Sequence, residues 1–262
     1  MVGPPTVQEH VISQELVLAE TVGPITRLTL NDPERANVLS RAMMTALAGA
    51  IARVEGDTGV KVIVLAAAGK LFCAGHDLAE LRATNDPLAH QVLFDQCSAL
   101  MLAVGACRVP VIARVQGSAV AAGCQLVASC DLAFAADTAK FAVSGINLGL
   151  FCSTPGVALA RAIGRKAASE MLLTGKFIGA AEAAGLGLIN RAVPPAELDT
   201  MVDEAAALIA AKPADAVALG KATLRRQVEA PLAEAYALAS RAMVENLSYD
   251  SARTGIDAFL RR

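Results

Sequence analysis

The chain has 262 residues, 55% of them hydrophobic and 18% charged, with a formal net charge of −2. This length allows one large core, or a core with a smaller appendage, and the apolar excess excludes an intrinsically disordered chain. Trp is absent, there are only two Tyr, and the charge is slightly negative, which excludes a stacking platform for single-stranded nucleic acid and an overall basic field for a polyanion.

In chain order, residues 15–21 and 25–30 read as the strands of a hairpin split by Gly23-Pro24. Residues 31–37 form a loop. Ser40 caps a helix running to about Glu55, because Met43, Leu47, Ile51 and Val54 fall on one face, and Gly56-Asp57 with Gly59 end it. Residues 61–67, KVIVLAA, form an apolar run of strand length, the pattern of a buried parallel strand. Residues 69–78, GKLFCAGHDL, then make a strand-turn-helix passage in which Asp77 is placed to cap the helix. A long helix over 87–107 stops at Arg108-Val109-Pro110.

The stretch 113–136, ARVQGSAVAAGCQLVASCDLAFAA, repeats that plan. A strand over 111–115 meets a turn at Gly117, followed by the small residues Ser118, Ala119, Ala121, Ala122 and Gly123, a short helix ending near Ser129, and a strand over 131–135. Small residues at such a turn have two readings. They let a ligand approach the backbone, where the free N–H groups of the helix's first turn hold an anion or a developing oxyanion, or they only permit tight packing. Two such units side by side would aim two N–H groups into one cleft.

Further on, 141–150 and a turn over 152–156 lead to helices near 156–163 and 165–174, closed by Gly175. Residues 180–184 read as a short helix and 188–193 as a strand. After Pro194-Pro195 the chain turns helical over 196–211, 213–229, 231–247 and 250–260, a layer suited to covering a core or joining subunits.

Several alternatives drop out. The uncharged stretch 115–130 is shorter than a membrane span, and 141–160 is broken by Ser144, Asn147, Ser153, Thr154, Pro155 and three glycines, so buried core explains both better. Residues 1–20 contain no Lys or Arg and no apolar signal core. That argues against a secretory or Arg-rich transit leader and makes a cytoplasmic location the expectation. The six cysteines (Cys73, Cys97, Cys107, Cys124, Cys130, Cys152) and three histidines (His10, His76, His90) show no ligand spacing, so reduced buried thiols are expected and no metal is assigned. Gly185-Leu186-Gly187 lacks the third glycine of a dinucleotide fingerprint and follows a helix. Gly69-Lys70 has Val64 where a phosphate-binding loop needs its first glycine, and Gly117-Ser118 lacks the frame of a nucleophile elbow.

Across roughly residues 15–260 the chain resembles the enoyl-CoA hydratase/isomerase (crotonase) family. The resemblance is carried by NDPERANVLS, KVIVLAAAG followed by LFCAGHDLAEL, PVIARVQGSAVAAGCQLVASCDLAFA and AAEAAGLGLINRAVP. Within the family, AAGCQLVASCD and NLGLFCSTPGVALAR are most similar to one subgroup. The resemblance implies an α/β, crotonase-like core of repeated ββα units with stacked sheets over 1–193. It also implies a C-terminal helical oligomerisation region over 194–262, and homotrimers that often pair into hexamers. It implies an acyl-CoA ligand as well, with the coenzyme A thioester as substrate and no further cofactor, and no nucleic-acid partner or membrane span.

By position, the thioester oxygen would sit between the backbone N–H groups of His76 and Ala122. Two fixed donors in a dry cleft stabilise a thioester enolate by several kcal/mol, about 3 per donor. Arg35 and Ala36, with the stretch His76, Asp77, Leu78 and Ala79, match positions that line the CoA path, and Ala74, Gly123 and Gly145 are counted with them as substrate-binding positions.

Here the chain departs from the family pattern. Where hydratases of this family place two glutamates, it has Gln125 and Gly145. Neither transfers a proton as a carboxylate does, and general acid–base catalysis is typically worth about 10²- to 10⁴-fold. His76 titrates near neutrality or simply packs. Asp77 reads as a cap before it reads as an acid, and Cys152 and Ser153 stand beside the expected acyl pocket, where a buried thiol is usually inert. Gln125 can orient water or substrate by hydrogen bonds. Two functions follow: an acyl-CoA lyase or isomerase with another proton-transfer group, and a non-catalytic acyl-CoA-binding protein that has shed the acid and base.

Overall fold

The structure, a computed structural model, describes residues 15–261. The reading of the N-terminus as leader-free rests mainly on residues 1–14, which lie outside the described residues, as does His10.

Strands β1 (Val17–Val22) and β2 (Ile25–Leu30) form the expected antiparallel hairpin, with Val17 opposite Leu30. Ser40 caps α1 (Arg41–Gly56) by accepting the Met43 N–H at 3.1 Å, and Met43, Leu47, Ile51 and Val54 are buried on one face. β3 (Val62–Ala67) is buried along its whole length because it lies inside a parallel sheet with helices on both faces. After α2 (Leu78–Arg82) and α3 (Pro87–Ala106), the second unit supplies β4 (Val111–Val115), β5 (Ala119–Val120), α4 (Ala122–Ser129) and β6 (Leu132–Ala136). Next come β7 (Lys140–Ala142), a 3-10 turn over Ser144–Leu148, α5 (Ser153–Ala162), α6 (Arg165–Thr174), β8 (Ile178–Gly179), α7 (Ala180–Leu186) and β9 (Arg191–Val193). The chain ends in α8 (Leu198–Ala210), α9 (Ala214–Gln227), α10 (Leu232–Leu247) and α11 (Asp250–Leu260).

Two sheets are stacked. The larger runs β1-β2-β3-β4-β6-β9, parallel apart from β1, and the smaller runs β5-β7-β8. The main core lies on the face of the larger sheet that carries α1 and α3. On the opposite face α8 places Val202, Ala206 and Ala210 against Val62, Val64, Ile112 and Phe134. Asp199 of α8 is bound by Arg114 at 2.7 Å and Arg27 at 3.1 Å, and these guanidinium groups hold its carboxyl down at about 2. By contrast, α9, α10 and α11 contribute one buried residue, Ala235.

The small sheet is where the structure departs most from the expected elements. Its strands are two or three residues long, too short for a two-residue period to show. β9 starts at Arg191 rather than 188, and α5 starts at Ser153 rather than near 156. Pro155 falls in the first turn of α5, where its missing N–H breaks no helical bond.

Candidate active site

The two strand-turn-helix passages lie against each other. Phe72 and Cys73 donate their N–H groups to Ser118 O at 3.1 and 3.3 Å, and Val120 donates to Cys73 O at 2.9 Å. Gly75 has φ 100 and sits so close to the second turn that a Cβ there would lie 2.9 Å from Ala121 Cβ and 3.3 Å from Ala122 N. From the other side, a Cβ on Gly123 would overlap the Cys73 carbonyl oxygen and lie 2.8 Å from Cys73 Cβ. The small residues are therefore required for packing, and that packing brings the backbone at Gly75-His76 beside the first turn of α4.

Ala121 carries the strain of this approach, with φ 49 and ψ −117. A non-glycine residue in such a region costs on the order of 1–3 kcal/mol and persists only where its surroundings over-determine it. Here Ala121 N donates to Ala142 O at 2.8 Å, while Ala121 O accepts from Gln125 N at 3.0 Å. Ala122 opens the helix, so its N–H has no intrahelical acceptor. Among the described residues neither the His76 nor the Ala122 N–H has a backbone acceptor.

The edge of this region is built by the loop before α1. Arg35 pairs with Asp77 and lies 3.6 Å from Asp32, and the Asp77 carboxylate also accepts from Ala79 N at 2.9 Å, so Asp77 caps α2 as expected. Ala36 O accepts from Ala74 N at 3.1 Å, which places Arg35, Ala36, Ala74, His76 and Asp77 along one edge, with Leu78 next to them and 55% exposed. The sequence reading missed Asn37. This buried residue has φ 51, donates to Ala68 O at 2.8 Å and Leu71 O at 3.0 Å, and accepts from Asp32 N at 2.9 Å. The signal for it was faint: Asn is the residue that tolerates left-handed backbone while bonding neighbouring main chain.

The side chains are less accommodating. His76 packs edge-on against Phe94, with ring centroids 5.4 Å apart, and both ring nitrogens are buried without a hydrogen-bond partner among the described residues. Burial lowers its pKa, only partly offset by the Leu39 backbone and the Glu80 charge, which favours the neutral imidazole. Gln125 is 4% exposed, with Oε1 3.9 Å from Cys97 Sγ. Gly145 has no room for a side chain: a Cβ would overlap the Leu150 carbonyl oxygen and lie 2.8 Å from Cys152 Sγ. Burial pushes Cys73 and Cys124 up to about 12 and raises Cys152, so these thiols stay protonated. All six cysteines are free, and all are buried except the half-buried Cys130.

Beyond Gln125 opens a cavity of about 640 Å³ between α3, α4, α5 and α9. Among the described residues no group of three or more His, Cys, Asp or Glu could hold a metal ion, and no helix is long and apolar enough to cross a membrane.

The family model for enoyl-CoA hydratase/isomerase matches residues 20–262, and the chain belongs to this family. Human and rat "Enoyl-CoA hydratase domain-containing protein 3, mitochondrial" are 47% and 45% identical to it, over 91% of this chain and 78% and 79% of theirs. These are the subgroup to which the 113–160 stretches point. A crystal structure of enoyl-CoA hydratase from Mycobacterium smegmatis superposes with a TM-score of 0.93 at 52% identity, covering 94% of this chain and 96% of that one. The crystal structure of human enoyl Coenzyme A hydratase domain-containing protein 3 gives 0.91 at 46%, covering 94% and 97%. The crotonase-like fold is thereby established.

The cytoplasmic location expected from the sequence is overturned. The rat, human, mouse and Xenopus laevis relatives are all named mitochondrial proteins, which points to the mitochondrion. The cytoplasmic reading was a default from lack of a basic leader, and a targeting segment leaves no trace in the packing of the folded domain.

Proposed function

We propose that the chain binds an acyl-CoA thioester where the two turns meet and stabilises its enolate with the N–H groups of His76 and Ala122. The observation that supports this is the close approach of Gly75 to Ala121 and Ala122, together with the lack of a backbone acceptor for either N–H among the described residues. Donors fixed by a strained, hydrogen-bonded turn need no reorganisation as charge develops on the thioester oxygen. In this reading CoA runs along Arg35, Ala36 and the Ala74–Leu78 edge, the acyl group passes Gly123 and Gln125, and the thioester is substrate with no further cofactor.

The reading assigns a hydratase/isomerase-type protein without the usual proton-transfer pair. The carboxylates nearest the turns are engaged: Asp77 caps α2 and pairs with Arg35, and Glu80 accepts the Arg41 N–H at 2.9 Å. Gln125 is left to orient water or substrate, and among the described residues the His76 ring is a titratable group on that turn whose nitrogens have no hydrogen-bond partner. The packing at Gly145 favours a second reading, a non-catalytic acyl-CoA-binding protein, because Leu150 and Cys152 occupy the space a second acid would need.

Crotonyl-CoA separates these readings, with loss of its conjugated-enone absorbance followed beside binding calorimetry. Heat of binding with slow turnover that His76→Ala abolishes supports the enzyme; heat with no turnover supports the binding protein. Absence of affinity for any acyl-CoA removes both.

Subunit assembly belongs to the same proposal. Leu232, Tyr236, Met243, Val244, Phe259 and Leu260 are exposed apolar residues on α10 and α11, more than a lone soluble chain usually shows in one region. A homotrimer or hexamer joined through the C-terminal helices would cover them, and sedimentation equilibrium tests it. A monomer at micromolar concentration rules the assembly out.

A further inference from the structure

The cavity beyond Gln125 has a charge pattern that a plain fatty acyl chain does not call for. Its wall carries Asp131, Arg161, Arg225 and Glu229 among mostly apolar neighbours. Asp131 is matched by Lys221, with Nζ at 2.6 Å, and Arg161 by Glu229 at 2.8 Å. Arg225 has no ionic or hydrogen-bond partner among the described residues, so one guanidinium at the cavity rim is left uncompensated.

Arg225 is an exposed residue of α9 whose guanidinium reaches the cavity wall. It lies against α3 at Gly105, where a Cβ would overlap Nη1 and stand 2.6 Å from Cζ. Glycine inside a helix is locally unfavourable, and here it provides the flat seat that any other residue would fill.

We propose that the acyl group taken by this cleft bears a second, distal carboxylate, and that Arg225 binds it. The inference rests on the acyl-CoA reading above and adds the substrate class, a dicarboxylic acid monothioester. The cavity touches Gln125 and Ser129 of α4 and Arg225 of α9, and from Gln125 to Ser129 α4 rises about 6 Å at about 1.5 Å per residue. An extended chain advances roughly 1.2 Å per bond, so an eight-carbon diacid, about 8 Å from one carboxyl carbon to the other, is long enough to run past this turn of α4. The planar fork of Arg matches a carboxylate with two parallel hydrogen bonds, while Met101, Leu102 and Val157 line the cavity for the methylenes.

The test compares octanoyl-CoA with the mono-CoA thioester of octanedioic acid by calorimetry on the full chain. The native protein binds the diacid thioester at least about tenfold tighter, the effect of one charge-assisted contact. Arg225→Gln brings the two affinities within about twofold of each other. Gly105→Ala, which keeps the charge but displaces the guanidinium, also narrows the preference. Equal affinity for the two ligands in the native protein, or a preference that survives Arg225→Gln, overturns the proposal while leaving acyl-CoA binding intact. Absence of affinity for both thioesters overturns the acyl-CoA reading, and this inference with it.

Discussion

The two halves of the proposed cleft differ in what they ask of the sequence. The half made of main chain, at Gly75-His76 and Ala121-Ala122, makes no demand on the side chains of His76 and Ala122, because a backbone N–H does not depend on what its residue carries. The half made of side chains does: at the two positions proposed for an acid and a base, Gln125 cannot ionise and Gly145 has no group at all. Moreover, the Gly145 position is closed, with the Leu150 carbonyl and the Cys152 sulfur lying where a side chain would start. In the proposed function, acyl-CoA binding and proton transfer therefore rest on separate groups.

Breaking the backbone half should give the largest effect. Gly123→Val drives a side chain into the Cys73 carbonyl and parts the two turns. Acyl-CoA affinity measured by calorimetry should fall by more than about 100-fold, and a thermal melt should show about 1–3 kcal/mol of overpacking strain. Retained affinity would mean that the turns need not touch.

On the side-chain half the two positions should respond differently. Gln125→Glu places a carboxyl at a buried site that raises its pKa, and crotonyl-CoA hydration should rise at least about tenfold, short of the full 10²–10⁴ of an acid–base pair. Gly145→Glu should give no gain in rate and should lower stability by about 1–3 kcal/mol in urea unfolding. A gain at 145 without loss of stability would show that the Leu150 segment yields easily.

Asn37→Ala tests the loop that carries Arg35 and Ala36. It removes the donor to the half-buried Ala68 carbonyl, while Leu71 O keeps Gln116 Nε2 at 3.1 Å, and a loss of about 1–3 kcal/mol in urea unfolding is expected, with weaker acyl-CoA binding. Unchanged unfolding and affinity would show that the loop holds without it.

The smallest effect is on pH dependence. The His76 pKa is lowered in the fold, so between that value and about 6.5 the unfolded chain binds more protons than the folded one. Stability is therefore fully present above about pH 6.5 and declines as the pH falls below it. Urea midpoints from pH 7 to pH 5 measure the slope, and His76→Gln should flatten it. Asp199, held at about 2, has the same sign in a lower window: its contribution is present above about pH 4 and is lost as the pH falls toward 2.

What the sequence disclosed follows from the range over which each signal acts. β3 was legible because an all-apolar run of six residues has few other uses, and α1 because a cap and four apolar positions agree. The caps at Ser40 and Asp77 are local chemistry and appeared as expected. β5, β7 and β8 were not legible, since strands this short are defined only by the neighbours they pair with. The closure at Gly145 depends on a carbonyl five residues later folding back over it, and the role of Asn37 on a segment more than thirty residues away. Neither can be read from spacing. The resemblance puts Gln125 and Gly145 where the family carries glutamates, and the coordinates add that Gln125 is buried and that Gly145 leaves no space for a side chain.

The most direct test of the separation between binding and proton transfer pairs crotonyl-CoA calorimetry with enone-absorbance turnover on the native chain and on Gln125→Glu. The account predicts that both proteins bind crotonyl-CoA and that hydration is slow in the native chain and at least about tenfold faster in the variant. Hydration by the native chain at a rate that Gln125→Glu does not raise would contradict it.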